Sequence, residues 1–221
     1  MIIFDLDDTL IQTTKCLSTI RFKVALEAII QEGFVSKDVN KDFNKLLRLR
    51  RSCASSLEAF DTFLFESGQR KANFLTIAEQ KLYYDDLPQE ARIQTFQGVK
   101  KTLASLHKKH ILCLMTIGKR AVQLKKMEKA GIDTKLFSKI IVAKRGSKKK
   151  FYAKLISSYQ LQPKQVIVCG DRVDKDLIPA KELGCMTLWM NKTKKRLYKG
   201  YQSCIDHTLD RFSQILTLIT H

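Results

Sequence analysis

The chain has 221 residues, enough for one large domain or for a core with an inserted module. Hydrophobic residues make up 44% of it, yet no stretch approaches the roughly 18 consecutive apolar residues of a membrane span, and the run Met1–Phe4 lacks the length and basic start of a signal peptide. A cytoplasmic protein with no membrane partner is expected, and its formal charge of +18 is concentrated: residues 100–154 hold 17 basic and two acidic residues, residues 13–92 hold 13 and 11.

In chain order, residues 2–6 (Ile-Ile-Phe-Asp-Leu) predict a short buried strand running into acids. Residues 13–92 read as helical throughout. Phe22, Leu26, Ile29 and Ile30, then Phe43, Leu46 and Leu47, recur at helical spacing, and only Gly33, Gly68 and Pro88 interrupt. From Thr95 the rhythm changes to alternation. Helices over about 99–109, 121–130, 149–159 and 175–183 precede strands over 111–116, 139–142, 165–169 and 186–190, and an amphipathic helix over 210–219 closes the chain. This pattern predicts an α/β fold, a Rossmann-like doubly wound parallel sheet of five strands. The core domain takes residues 1–12 and 93–221, and residues 13–92 form an inserted α-helical cap domain. The six cysteines show no C-x-x-C spacing and read as free thiols of a reducing compartment.

In open α/β sheets, ligands bind at the carboxyl ends of the strands. The first strand delivers Asp5-Leu6-Asp7-Asp8-Thr9 there, and the second delivers Thr116. The segment after the third delivers lysines from Lys144 to Lys150, and the fourth delivers Gly170-Asp171, with Asp174 and Asp176 just beyond. Carboxylates, a hydroxyl and an amine at one crevice suit phosphoryl transfer. Aspartates are hard oxygen ligands for Mg²⁺, with Asp5 and Asp171 the obvious pair. A carboxylate is also a competent nucleophile, forming an aspartyl-phosphate. A lysine and a hydroxyl hold phosphoryl oxygens. Asp7, two residues after Asp5, would lie on the opposite face of an extended segment, but a turn after the strand can bring it back to the leaving group, where it is expected to act as acid and then, toward water, as base.

These residues also carry a family resemblance over nearly the whole chain. Ile-Ile-Phe-Asp-Leu-Asp-Asp-Thr-Leu resembles the first motif of the haloacid dehalogenase-like hydrolase superfamily, hydrophobics followed by D-x-D-x-T. Leu112–Thr116 resembles the second motif, and Val166–Asp171 with its continuation through Asp176 resembles the fourth. The helical insert is similar to the C1-type cap of subfamily I. The resemblance implies that Asp5 is nucleophile and metal ligand. It makes Asp7 general acid/base and, through its main-chain carbonyl, a metal ligand. It implies that Asp171 is a metal ligand, that Thr116 and a lysine bind phosphate, and that Asp176 helps position the lysine or the metal's waters. The third motif departs from the pattern: Lys144–Lys150 contains no proline. Lys148, after the Gly-Ser turn, is the favoured lysine, with Lys149 and Lys144 as alternatives.

The expected function is a Mg²⁺-dependent phosphatase, a phosphoric monoester hydrolase acting on a small phosphorylated metabolite. A nucleic-acid-associated protein ranks second. Phe137, Phe151 and Tyr152 are the only aromatics in residues 100–154, few for base stacking. A phosphomutase of the same architecture is a further alternative, and Asp7 argues against a dehalogenase. Lys119, Arg120, Lys144–Lys150 and Lys192–Arg196 follow strand ends and are expected around the crevice mouth, whereas Lys100, Lys101, Lys108 and Lys109 decorate an outer helix.

Overall fold

A computed structural model describes residues 1–53, 55–144, 146–191 and 200–219. The chain divides into two compact units, Met1–Thr13 with Ile93–His221, and Thr14–Arg92. The second unit is helical. Its elements are α1 (Thr13–Gln31), α2 (Val39–Ser52), α3 (Ser56–Glu66) and α4 (Ala72–Glu79), the last running on into a π turn over Gln80–Tyr84. Asp38 and Ser55 cap α2 and α3, each accepting a backbone N–H three residues on. The unit has its own apolar core. Phe22 meets Phe60 edge-on at 5.6 Å between centroids, and Phe34 lies against Phe63 and Phe74 at 5.4 and 6.0 Å.

The first unit is built on six strands, β1 (Ile2–Phe4), β2 (Leu112–Ile117), β3 (Lys139–Ala143), β4 (Ile167–Gly170), β5 (Met186–Met190) and β6 (His207–Leu209). All pair in parallel in the order β3-β2-β1-β4-β5-β6. The intervening helices are α5 (Val99–His107), α6 (Arg120–Lys129), α7 (Lys149–Ser158), α8 (Ile178–Lys181) and α9 (Ile215–Leu218). β1 lies at the centre with all three residues buried, so its sequence is an unbroken apolar run rather than an alternation. Successive side chains go to opposite faces. Ile3 joins a cluster with Met115, Val168, Tyr152 and Leu155 of α7 and Ala180 of α8. Phe4, on the other face, packs on Phe212 at 5.5 Å. Helical elements therefore cover both faces of the sheet, and the fold is a three-layer Rossmann-like α/β architecture.

Three elements differ from the sequence reading. β6 is a sixth strand, only three residues long and mostly exposed, defined by its ladder with β5 rather than by any apolar pattern. The helix expected over 175–183 starts earlier, as a π turn over Val173–Leu177, before α8 begins at Ile178 with Pro179 in its first turn. The closing helix is a 3-10 turn at Phe212–Gln214 leading into the four residues of α9. All six cysteines are free thiols. Among the described residues, no helix is long and apolar enough to cross a membrane.

Candidate active site

Strand β1 stops at Phe4 because the chain turns sharply after it. The carbonyl of Leu6 accepts from Leu10 N at 3.0 Å and Ile11 N at 3.2 Å. Asp8 adopts the left-handed region at φ 57°, a conformation that aspartate tolerates better than most residues. Asp5 sits at the start of this turn. Its N–H donates to the carbonyl of Cys169 at 2.9 Å, tying it to the neighbouring strand β4. Chain order reverses between β1 and β4, so Asp5 and Asp171 emerge where an open α/β sheet forms its ligand crevice.

Around Asp5 the groups are close and buried. Lys148 Nζ donates to Asp5 Oδ1 at 2.6 Å and to Asp176 Oδ1 at 2.7 Å, and Thr9 Oγ1 donates to Asp5 Oδ2 at 3.2 Å. Asp176 also accepts from the backbone N–H of Arg172 at 2.9 Å. The approach of Asp176 to β4 requires glycine at 170, since a Cβ there would stand 2.6 Å from Asp176 Cγ. Trp189 Nε1 holds the carbonyl of Asp171 at 2.9 Å. Asp5, Asp171 and Asp176 each offer a carboxylate oxygen, all within 4.8 Å of one another. Burial raises the Asp5 pKa well above the usual carboxylate range. Lys148 opposes that rise, and Asp176, Asp171 and Asp7 reinforce it. Burial alone would lower the Lys148 pKa, but Asp176 and Asp5 outweigh it and raise it.

Of the lysines considered, Lys148 lies among these acids at 3% exposure. Lys149, one residue on, points to Glu182 at 2.9 Å with both side chains about half exposed, and Lys144 is exposed. Lys148 immediately precedes α7, whereas Lys149 opens it, so the helical turn sends the two ammonium groups in different directions. Lys119 and Arg120 are exposed at the start of α6. Arg145 and the expected rim residues Lys192–Arg196 lie outside the described residues.

Asp7 occupies a separate set of contacts. Its Oδ1 accepts from Thr13 Oγ1 at 2.5 Å and Lys126 Nζ at 2.7 Å, and its Oδ2 accepts from Gln123 Nε2 at 2.7 Å. Burial would raise this carboxyl, but the Lys126 charge and the three hydrogen bonds outweigh it and hold its pKa low. Thr116, fully buried at the end of β2, accepts from Gln123 Nε2 at 2.7 Å. Sequence reasoning missed Gln123 and Lys126. The available signal was their position: Val122, Gln123, Lys126 and Met127 form the buried stripe of α6, so two polar residues stand on the face that should be apolar.

Three hard carboxylates in one cluster, with burial and the neighbouring acids working against the ionised form of Asp5, fit a small divalent cation with oxygen ligands.

The family model described as haloacid dehalogenase-like hydrolase matches residues 2–190. A relative from Pyrococcus furiosus, described as a glyceraldehyde 3-phosphate phosphatase, is 27% identical over 225 residues, covering 99% of this chain and 92% of that protein. Among solved structures, one from Haemophilus somnus, described as a predicted phosphoglycolate phosphatase, superposes with a TM-score of 0.71 at 20% identity, covering 99% of this chain and 96% of the other. YfnB of Bacillus subtilis, a structure bound to magnesium, gives a TM-score of 0.66 at 17% identity, covering 100% and 98% of the two chains.

Proposed function

The chain belongs to the haloacid dehalogenase-like hydrolase family, and from that premise we propose that it is a Mg²⁺-dependent phosphatase acting on a small phosphorylated metabolite. The observation that carries the reading is the convergence, at the carboxyl end of central strand β1, of Asp5 with Lys148, Asp171 and Asp176, beside a second carboxylate, Asp7, joined through Gln123 to Thr116. The relative from Pyrococcus furiosus, whose name specifies a three-carbon phosphate ester, supports a small substrate. In this reading the enzyme works in the cytoplasm.

In this reading an Asp5 oxygen attacks the phosphorus and forms the aspartyl-phosphate as the bond to the ester oxygen breaks. The Lys148 ammonium has three hydrogens; two are engaged by Asp5 and Asp176, which leaves one for a phosphoryl oxygen. Thr116 supplies a hydroxyl to another oxygen. Asp7 protonates the departing oxygen, then takes a proton from the water that attacks phosphorus and releases Asp5 and inorganic phosphate. The free protein holds Asp7 as a carboxylate, ready as base. A phosphoryl group arriving with its own negative charge raises that pKa and favours the protonated form that the first half needs.

Asp5, Asp171 and the main-chain carbonyl of Asp7 would hold Mg²⁺, with Asp176 in support. Bound there, the cation supplies positive charge that offsets the repulsion between the carboxylates and a phosphate. The helical unit, inserted in sequence between β1 and β2, is the cap that selects the substrate in this reading.

The test is hydrolysis of a panel of phosphate esters with Mg²⁺ present, for the wild type and Asp5→Asn. Mg²⁺-dependent release of phosphate that Asp5→Asn abolishes while remaining folded supports the reading. Undiminished turnover in a folded Asp5→Asn protein overturns it.

A further inference from the structure

Gln123 contacts three acceptors at once. Its Nε2 lies 2.7 Å from Asp7 Oδ2, 2.7 Å from Thr116 Oγ1 and 3.1 Å from the carbonyl of Ile117. A carboxylate and a carbonyl only accept, so the side-chain amide must face them with its nitrogen, which settles its orientation. That nitrogen has hydrogens and no acceptor capacity. Its two hydrogens are shared among the three acceptors, so in its contact with Gln123 the Thr116 hydroxyl can only accept, and its own proton is left to donate elsewhere. One helical turn along α6, Lys126 places a buried ammonium on the other oxygen of Asp7 at 2.7 Å.

We propose that Gln123 and Lys126 are positioning residues of α6, Gln123 committing the Thr116 hydroxyl to donate toward a phosphoryl oxygen and both together fixing the Asp7 carboxylate for proton transfer. This rests on the phosphatase reading of the site and adds two residues to it. The pair acts through Thr116 and Asp7, and neither residue is assigned a contact with the phosphoryl group. The cost of burying Lys126 is offset by Asp7, so the same contact that satisfies the lysine orients the acid. Thr13 on Asp7 Oδ1 completes the clamp, and the carboxylate is held at both oxygens from two elements.

The experiment compares the wild type, Asp7→Asn, Lys126→Met, Lys126→Arg and the double variant Asp7→Asn/Lys126→Met on esters graded from nitrophenyl to alkyl leaving groups. Removal of a partner that orients a working group typically costs about 10–100-fold. Lys126→Met should lower kcat by roughly that factor on alkyl esters and by less than about threefold on nitrophenyl phosphate, because a good leaving group needs little protonation. Lys126→Arg, which keeps the charge and the donors, should recover most of the loss. In the Asp7→Asn background Lys126→Met should add less than about twofold, since the two losses share one cause. Binding of inorganic phosphate, measured by calorimetry, should weaken about 3–10-fold in Gln123→Leu with Lys126 intact, as expected for the loss of roughly one hydrogen bond's orientation. A uniform loss across the series for Lys126→Met, or fully additive losses in the double variant, overturns the positioning role while leaving the phosphatase reading intact. Unchanged phosphate binding in Gln123→Leu overturns the role given to Gln123. A wild type that hydrolyses no ester in the series overturns both readings.

Discussion

Replacing Lys148 by methionine probes the buried charge cluster at the end of β1. Methionine keeps the apolar stem and removes the ammonium that lies 2.6 Å from Asp5 and 2.7 Å from Asp176, at a position only 3% exposed. Taking one partner from a buried ion pair costs about 3–5 kcal/mol, because the remaining charge is left uncompensated. Here two carboxylates are left, with Asp171 close enough to add to the repulsion. For a chain of this size each kcal/mol moves Tm by roughly 2–4 °C, so in chelator near pH 8 the variant should melt about 6–20 °C below the wild type. Proton uptake by Asp5 limits the loss. Burial already raises its carboxyl, and without Lys148 the pKa rises further. A carboxyl whose folded pKa is raised contributes stability that is complete below its unfolded value and lost as pH rises through the folded one. The deficit of the variant should therefore shrink between about pH 8 and about pH 5. Mg²⁺ supplies cationic charge to the same oxygens and should restore more Tm to Lys148→Met than it adds to the wild type. Thermal unfolding followed by calorimetry, in chelator and in Mg²⁺ at both pH values, tests all three statements. A Tm within about 2 °C of the wild type in chelator near pH 8, or a deficit that grows on acidification, would refute the reasoning.

Asp171→Ala removes one of the three clustered carboxylates and should raise the Mg²⁺ concentration needed for half-maximal activity by more than about tenfold; full activity in excess chelator would assign the cluster another role. Gly170→Ala places a methyl 2.6 Å from Asp176 Cγ and should cost about 1–3 kcal/mol in a denaturant titration, with unchanged stability as the contrary result. The cationic surface gives a kinetic test, because the Debye length falls from about 30 Å at 0.01 M to about 10 Å at 0.1 M salt. For a multiply charged ester, kcat/KM should drop across that range, and charge reversal at Lys119 and Arg120, at the start of α6 just after β2, should flatten the dependence. Reversal at Lys108 and Lys109, beyond the end of α5, should not; equal behaviour of the two pairs would make the charge a general surface property.

Periodicity alone was enough to establish the parallel α/β core and the helical segment between β1 and β2. A buried central strand must be apolar on both faces, and helices packed on one side must repeat at helical spacing, so burial writes itself into local sequence. The acids following β1 and β4 were legible for the same reason, as polar residues placed abruptly after apolar runs. Long-range partners leave no such mark. In sequence, Lys148 is favoured over Lys149 only by its place after the Gly-Ser turn, and the geometry at the start of α7 is what sends one to Asp5 and Asp176 and the other to Glu182. β6 exists through its ladder with β5, which no residue of His207–Leu209 announces. Gln123 and Lys126 read in sequence as ordinary members of a cationic helix. Tertiary packing buries their face of α6 and brings Asp7 and Thr116 to it, and a hydrogen bond between residues more than a hundred positions apart is decided by that packing rather than by either local segment.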